Sequence, residues 1–157
     1  MTKEAFENKA LICFLRLNSL KLKDLQDLIG FCHEDYAVKF LALKSLEIEN
    51  CPELKGFIHK SMSNDISTDG VLFNKKVTFL NLQKIIVSRL RNVKRMWYNQ
   101  LCSDFQNLEK LTIADCASLE EVFYLQGLDI EKPYMVCNQL RNVTLGRPSS
   151  VEAYLEH

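Results

Sequence analysis

The chain has 157 residues, with 20 Lys plus Arg against 20 Asp plus Glu, and 47% of its residues are hydrophobic. This length suits one domain, and the hydrophobic share is enough for a packed core, which excludes a disordered chain. A formal net charge of +0 gives no general reason to bind nucleic acid or an anionic membrane. No apolar run reaches the ~20 residues of a membrane span. The first residues show no secretory signal, so we expect a cytoplasmic protein.

Six cysteines could form three disulfides, but their pattern indicates reduced thiols. None belongs to a Cys-x-x-Cys pair, and the three histidines have no zinc-finger spacing, so no metal site is predicted. Disulfide-rich secreted proteins are usually shorter and less apolar than this chain. We therefore expect reduced, mostly buried thiols at Cys13, Cys32, Cys51, Cys102, Cys116 and Cys137.

The informative feature is an internal repeat, leucine-x-x-leucine-x-leucine followed by three apolar residues at intervals of three. Five segments match this template, and every template position except Pro148 is hydrophobic. The repeats begin their templates at Leu17, Leu43, Leu82, Leu108 and Leu140. A second marker lies three residues before each of these leucines, namely Phe14, Phe40, Phe79, Phe105 and, in the last repeat, Cys137. Self-similarity of this kind is typical of a stacked repeat protein.

The predicted elements follow in chain order from this template. We interpret residues 1–13 as the remnant of a preceding repeat and residues 14–157 as an array of about five repeats. The repeat boundaries are 14–39, 40–78, 79–104, 105–136 and 137–157. The second repeat is longer because of a segment at 58–76 that is polar at its start, which we predict to be an inserted loop on the side away from the strands.

The spacing has a direct physical interpretation. Leucine-x-leucine has the period of two that places both side chains on one face of a short strand. The later apolar residues suit a tight turn and irregular or 3₁₀ segments that return the chain. One such unit cannot bury its apolar face alone, so the units stack and their strands form a parallel ladder. A small thiol fits the inside of the turn, which accounts for Cys51 and Cys116.

Three segments carry a resemblance to a known family. They are FLALKSLEIENCPELKGF, FQNLEKLTIADCASLEEVF and VTFLNLQKIIVSRLRNVKRMWYNQL. They resemble the leucine-rich repeats of plant intracellular immune receptors of the nucleotide-binding, leucine-rich-repeat type with an N-terminal coiled coil. The resemblance implies an α/β repeat solenoid, a fragment of a curved horseshoe. Its concave face would carry the parallel β ladder, and its convex side irregular, 3₁₀ or short helical segments.

The resemblance also implies a non-catalytic module that binds proteins. Its partners would be a pathogen effector or a guarded host protein and, within a full-length receptor, the nucleotide-binding domain that it restrains. The phosphate-binding loop of that domain, GxxxxGK[ST], does not occur here, so we expect no bound cofactor. We also expect the sequence to be a fragment or a truncated gene product. A substrate-recruiting adaptor of a ubiquitin ligase is the alternative.

Binding in such repeats is expected at the residues that flank the strand leucines. These are Lys21, Lys23, Glu47, Glu49, Lys84, Ile86, Ser88, Lys110, Thr112, Asn142 and Thr144. Lys21 should lie opposite Glu47, and Lys23 opposite Glu49, on adjacent strands. A purely solubilising role for these charges stays open. Ile86 is the clearest indication of partner binding because it is apolar at an exposed type of position.

A basic flank lies within the third repeat, around Leu90 and Val93, at Arg89, Arg91, Lys94 and Arg95. Basic residues near aromatic ones can bind single-stranded nucleic acid. Because these residues fill variable template positions, we expect solvated side chains or docking on an acidic surface, and no nucleic-acid binding.

Catalysis has little support in the sequence. Cys32 and His33 are adjacent, but adjacency along the chain is not the spatial pairing that a nucleophile and its base need. An enzyme on a β-solenoid, such as a polysaccharide lyase, would need a cluster of carboxylates or bases on one strand face. The predicted strands carry no such cluster, so we expect no enzymatic activity.

Overall fold

The computed structural model describes residues 10–59, 70–97, 107–120 and 142–146. These residues form twelve strands: β1 Ala10–Phe14, β2 Ser19–Lys23, β3 Cys32–His33, β4 Tyr36–Phe40, β5 Ser45–Glu49, β6 Ile58–His59, β7 Val71–Phe73, β8 Val77–Phe79, β9 Lys84–Ser88, β10 Arg95–Trp97, β11 Lys110–Ala114 and β12 Asn142–Gly146. All strand pairs among them are parallel. The chain is therefore a parallel β-solenoid, as predicted.

The largest sheet, which we call the main ladder, has the strand order β12-β11-β9-β5-β2. Each of its strands begins two residues after the first leucine of a repeat template. Inward and outward residues alternate along β5 and β9: Leu46, Ile48, Ile85 and Val87 are fully buried, while the residues between them are partly exposed. The predicted period of two is confirmed for β5 and β9, and the predicted parallel ladder is confirmed for the five strands of this sheet.

A second sheet, the phenylalanine ladder, has the order β1-β4-β8. Phe14, Phe40 and Phe79 end these strands and stack on one another, with ring centroids 4.9 Å and 5.3 Å apart and nearly parallel planes. The rings of Phe31 and Phe57 also pack against Phe40, with centroids 6.2 Å and 5.9 Å from its own. Phe31 and Phe57 belong to the remaining side of the solenoid, which we call the third side. Phe40 and Phe79 are therefore core residues, and the partly buried Phe14 packs against Phe40.

The third side contains β3 and β6, which pair with each other, and β7 and β10, which pair with each other. The Phe57 amide donates to the Leu72 carbonyl at 2.7 Å, so β7 lies directly beside the β6 segment. At this contact a Cβ on Gly56 would come within 2.8 Å of the Val71 carbonyl oxygen, which explains the glycine. Four short strands thus stack on this side.

Two details differ from the sequence-based predictions. Part of the predicted insertion at 58–76 is not a loop: Val71, Leu72 and Phe73 are buried and add a strand between the second and third coils. Three consecutive apolar residues can be buried only when covered on both faces, and β7 is covered in that way. The described residues contain no helix, because short strands on the third side already satisfy their backbone groups. Over the described residues there is accordingly no helix long and apolar enough to span a membrane.

Part of the predicted array lies outside the described residues. This applies to the repeat boundaries at 105 and 137, to most of the insertion, and to Cys102, Phe105 and Cys137. The division into repeats stays an interpretation there.

We expect Phe40→Ala to lower the free energy of unfolding by about 3 to 5 kcal/mol, since it leaves a cavity among four aromatic rings. Urea denaturation measures this loss. Tyr36→Ala is the control, because Tyr36 lies on the same strand with 39% of its surface exposed and should cost much less. Equal losses in the two variants would contradict the role given to Phe40.

Candidate protein-interaction face

In four successive coils, the residue that directly follows the strand of the main ladder has left-handed backbone geometry. The φ angles are 56°, 52°, 53° and 53° at Asp24, Asn50, Arg89 and Asp115. This conformation turns the chain sharply, so that the next residue enters the turn and, in the last three coils, is buried. The amides of the first three donate to Glu49, Ser88 and Ala114 carbonyls of the next coil, each at 3.0 Å. We call these four residues the corner row.

Two buried thiols stabilise the corners from inside. Cys51 Sγ lies 3.6 Å from the Leu22 carbonyl oxygen and 3.5 Å from that of Glu49, and Cys116 Sγ lies 3.4 Å from that of Ala114. Both side chains are at most 1% exposed. Burial raises the pKa of each thiol above its ordinary value, so both stay protonated donors at neutral pH. The predicted turn-filling role of these cysteines is confirmed.

The outward side chains of the main ladder form rows across the coils. Backbone pairing aligns Lys21, Glu47, Ile86 and Thr112 in the middle row and continues it to residue 144. Lys84 and Lys110 lie opposite each other in a neighbouring row, which continues to Asn142. Lys23, Glu49 and Ser88 form the third row. The ladder thus brings all predicted face residues onto one sheet; their partner-binding role stays a prediction.

The expected charge pairs are present on this face. Lys21 Nζ lies 3.4 Å from Glu47 Oε2, and Lys23 Nζ lies 3.9 Å from Glu49 Oε2. Lys84 Nζ also reaches Glu47 Oε1 at 3.5 Å, a third pair that the sequence reasoning missed. Glu47 therefore sits between two lysines from the coils on either side. The lysine ends of these pairs are exposed, whereas the Glu47 side chain is only 16% exposed. Water at the lysine ends screens the pairs, so they contribute little to stability.

A cleft of about 340 Å³ lies where the third row meets the corner row. Its lining residues are Lys23, Asp24, Glu49, Asn50, Ile86, Ser88, Arg89, Thr112, Ala114 and Asp115. Sequence reasoning named six of these as site residues, Lys23, Glu49, Ile86, Ser88, Thr112 and Arg89, but missed the corner residues Asp24, Asn50 and Asp115. The available signal was a polar residue directly before Leu25, Cys51 and Cys116, a position where Asp and Asn tolerate left-handed geometry.

The predicted basic flank does not form one surface around the cleft. Arg89 belongs to the corner row and lines the cleft. Arg91 is exposed on the turn that follows, and the Lys94 side chain lies against Gly70. Arg95 is the first residue of β10 on the third side. Only Arg89 of these four is therefore placed to act together with the main ladder.

The described residues bear on two kinds of chemistry, a cysteine nucleophile at Cys32 and a metal site. Burial raises the pKa of the Cys32 thiol, which is the opposite of what a nucleophilic thiolate needs. His33 Nδ1 instead lies 3.2 Å from Asp35 Oδ2. Over residues 10–59, 70–97 and 107–120, no group of three or more His, Cys, Asp or Glu side chains could hold a metal ion.

The four described cysteines are free thiols. Cys51 and Cys116 are buried, Cys32 is partly buried and Cys13 is exposed on β1. The four free thiols agree with the expectation of reduced cysteines. Only two of the four are buried, so the expectation that most are buried does not hold for Cys13 and Cys32.

The fold and its repeat template define a leucine-rich-repeat protein. The leucine-rich repeats of plant disease resistance protein RPS2-like match residues 59–152, more than half of the chain. The chain therefore belongs to this family, which confirms the resemblance carried by the three repeat segments. No curated protein and no solved structure matches the chain. Repeat solenoids of this kind are typically interaction modules.

We expect Glu47→Gln to lower the free energy of unfolding by less than about 1 kcal/mol, because Lys21 and Lys84 remain 65% and 38% exposed and water screens both pairs. Urea denaturation at low and high salt measures the loss, which should shrink in high salt. Glu53→Gln, at an exposed turn, is the control. A large loss that is independent of salt would contradict a solvated network.

Alkylation of the native chain should be fast at Cys13 and slow at Cys51 and Cys116, since the thiolate is the reactive form and burial raises the pKa of the last two. Peptide mapping by mass spectrometry measures each site. The two raised pKa values also stabilise the folded state below the unfolded-state pKa of about 9.0, and this contribution is lost as the pH rises through the folded-state pKa. Equal alkylation rates at Cys13 and Cys51 would contradict the buried corners.

Proposed function

We propose that this chain is the leucine-rich-repeat part of a plant intracellular innate immune receptor, active in the cytoplasm. It binds a pathogen effector or a guarded host protein through the outer face of the main ladder. In the full-length receptor, the same repeats restrain the nucleotide-binding domain. The observation that carries this proposal is the row Lys21, Glu47, Ile86 and Thr112, which combines a partly exposed isoleucine with charged and polar side chains on adjacent strands.

The backbone under this row suits recognition. Each outward residue alternates with fully buried leucine, isoleucine or valine in β5 and β9, which fixes the side-chain directions. A partner therefore meets a largely preformed surface, and little conformational entropy is lost on binding. Surface complementarity, and no bond-making chemistry, is the mechanism that such a surface supports.

The size of the face limits how a partner binds. Five strands about 4.8 Å apart, each of five residues rising about 3.3 Å, span roughly 20 Å by 16 Å. A stable interface buries about 800 Å² on each partner, more than a flat patch of this size offers. The partner must therefore also contact the corner row or neighbouring segments. The family match favours the receptor over a ubiquitin-ligase adaptor.

We expect Thr112→Glu to weaken binding of the cognate nucleotide-binding domain or effector at least tenfold, about 1.4 kcal/mol, by placing a charge beside Ile86. Isothermal titration calorimetry with the purified chain measures the affinity. Thr78→Glu is the matched control, because Thr78 is a partly exposed strand threonine on the phenylalanine ladder. The proposal fails if the chain binds none of these partners, or if both variants bind as the unaltered chain does.

A further inference from the structure

A row of leucines runs along the outer surface of the phenylalanine ladder. Leu15, Leu41 and Leu80 each directly follow a phenylalanine of that ladder. The Leu41 amide donates to the Phe14 carbonyl at 3.0 Å. The Leu80 amide donates to the Phe40 carbonyl at 3.1 Å, so the register of the strands continues through this position. Leu15 and Leu80 are 63% and 43% exposed, and Leu41 lies partly exposed between them. We call these three residues the leucine row.

The fold does not require leucine at this position. The preceding phenylalanine packs into the core, so the residue after it is directed outward. The fourth and fifth repeats carry Gln106 and Asn138 at the equivalent place in the sequence. On β1, Leu11 is also 59% exposed. Aligned apolar side chains on a surface, where polar ones would serve the fold equally well, indicate a contact surface.

The side of the first three coils that carries the leucine row has no acidic residue. It consists of residues 10–18, 36–44 and 76–83, which contain neither Asp nor Glu. The acidic residues 34–35 precede β4 and lie about 20 Å from the row along the strand direction. Glu109 belongs to the fourth coil. The leucine row is therefore flanked by positive charge alone.

The same side carries four cations, which are Arg16, Lys39, Lys44 and Lys76. Arg16 is exposed directly after Leu15, and Lys39 lies in the neighbouring outward row, opposite Cys13. The first three cations make no ion pair with any residue that the structure describes. Lys76 Nζ donates to the Glu34 carbonyl. At least three positive charges thus remain for a partner.

The backbone beside the leucine row is already hydrogen-bonded within the protein. Asn81 Nδ2 donates to the Leu41 carbonyl at 2.6 Å, and Asn107 Nδ2 donates to the Leu80 carbonyl at 3.3 Å. An unpaired backbone carbonyl costs free energy when it leaves water. These two leucines can therefore enter an apolar environment without leaving their carbonyls unpaired.

We propose that the leucine row docks the chain on an anionic lipid surface, with the leucines in the membrane interface and Arg16 and Lys39 at the lipid headgroups. Peripheral binding of this kind combines buried apolar side chains with attraction between basic residues and anionic lipid. Charge complementarity selects this occupant over a second copy of the chain, because two such basic surfaces repel each other. The whole chain has a formal net charge of +0, so the attraction comes from the local segregation of cations on this side. The inference goes beyond the proposed function and leaves the main ladder free for a protein partner.

The test measures sedimentation of the purified chain with lipid vesicles. We expect binding to phosphatidylcholine vesicles that contain about 30% phosphatidylserine, at least tenfold weaker binding to pure phosphatidylcholine, and weaker binding in high salt.

Two matched pairs of variants separate this surface from the rest of the chain. Leu80→Gln should weaken binding about fivefold, whereas Ile29→Gln, between β2 and β3 and 42% exposed, should leave it unchanged. Lys39→Gln should also weaken binding about fivefold, whereas Lys55→Gln, at an exposed turn, should not. Thermal unfolding checks that each variant is folded, and Lys39→Gln keeps the test decisive if Leu80→Gln unfolds.

Cys13 reports which side of the chain meets the lipid. This exposed thiol lies opposite Lys39 in the outward row. Anionic vesicles should slow its alkylation by a polar maleimide severalfold and leave alkylation of Cys32, on the third side, unchanged.

Four results would overturn the inference: no sedimentation, equal binding to neutral vesicles, equal losses within the matched pairs, or unprotected Cys13. Binding of soluble polyglutamate as tightly as anionic vesicles, unaffected by Leu80→Gln, would also overturn it, since it would indicate an acidic protein partner.

Discussion

The structure depends on the in-register stacking of equivalent apolar side chains from successive coils. Leu46, Ile85 and Leu111 occupy the same position on adjacent strands of the main ladder, and all three are fully buried. Leu20 occupies that position in the first coil but is only partly buried, and Leu11 and Leu15 nearby are 59% and 63% exposed. The difference shows that a coil obtains its core from its neighbours and not from its own residues. Every outward feature of the ladder is positioned by this stacking.

The same repetition aligns the corner residues in one row on the surface. Since each coil must turn at the same point, residues 24, 50, 89 and 115 are brought into one row although they are far apart in sequence. The buried Cys51 and Cys116 thiols lie behind this row and bond to carbonyls of the strand ends. A chemically varied row on a uniform backbone is how a repeat protein acquires a specific surface without changing its fold.

The sequence predicted what is periodic and missed what breaks the period. The leucine template located all five strands of the main ladder, and the register followed closely enough to predict the Lys21–Glu47 and Lys23–Glu49 pairs. The diagonal pair from Lys84 was missed because it depends on side-chain reach between coils and not on template position. The corner row was missed because left-handed geometry leaves only a weak trace in residue type, and Arg89 leaves none. The added strand β7 was mistaken for loop because the segment before it is polar.

That added strand bears on the interaction face. The main ladder passes directly from β5 to β9, and the phenylalanine ladder passes directly from β4 to β8. On the third side, β7 intervenes between the β6 segment and β10. Because each strand occupies about 4.8 Å along the stack, the third side is longer than the other two by one strand spacing at this level. The stack must then bend away from the third side. Both shorter sides lie inside this bend: the main ladder at β5 and β9, which carry Glu47 and Ile86, and the phenylalanine ladder at β4 and β8.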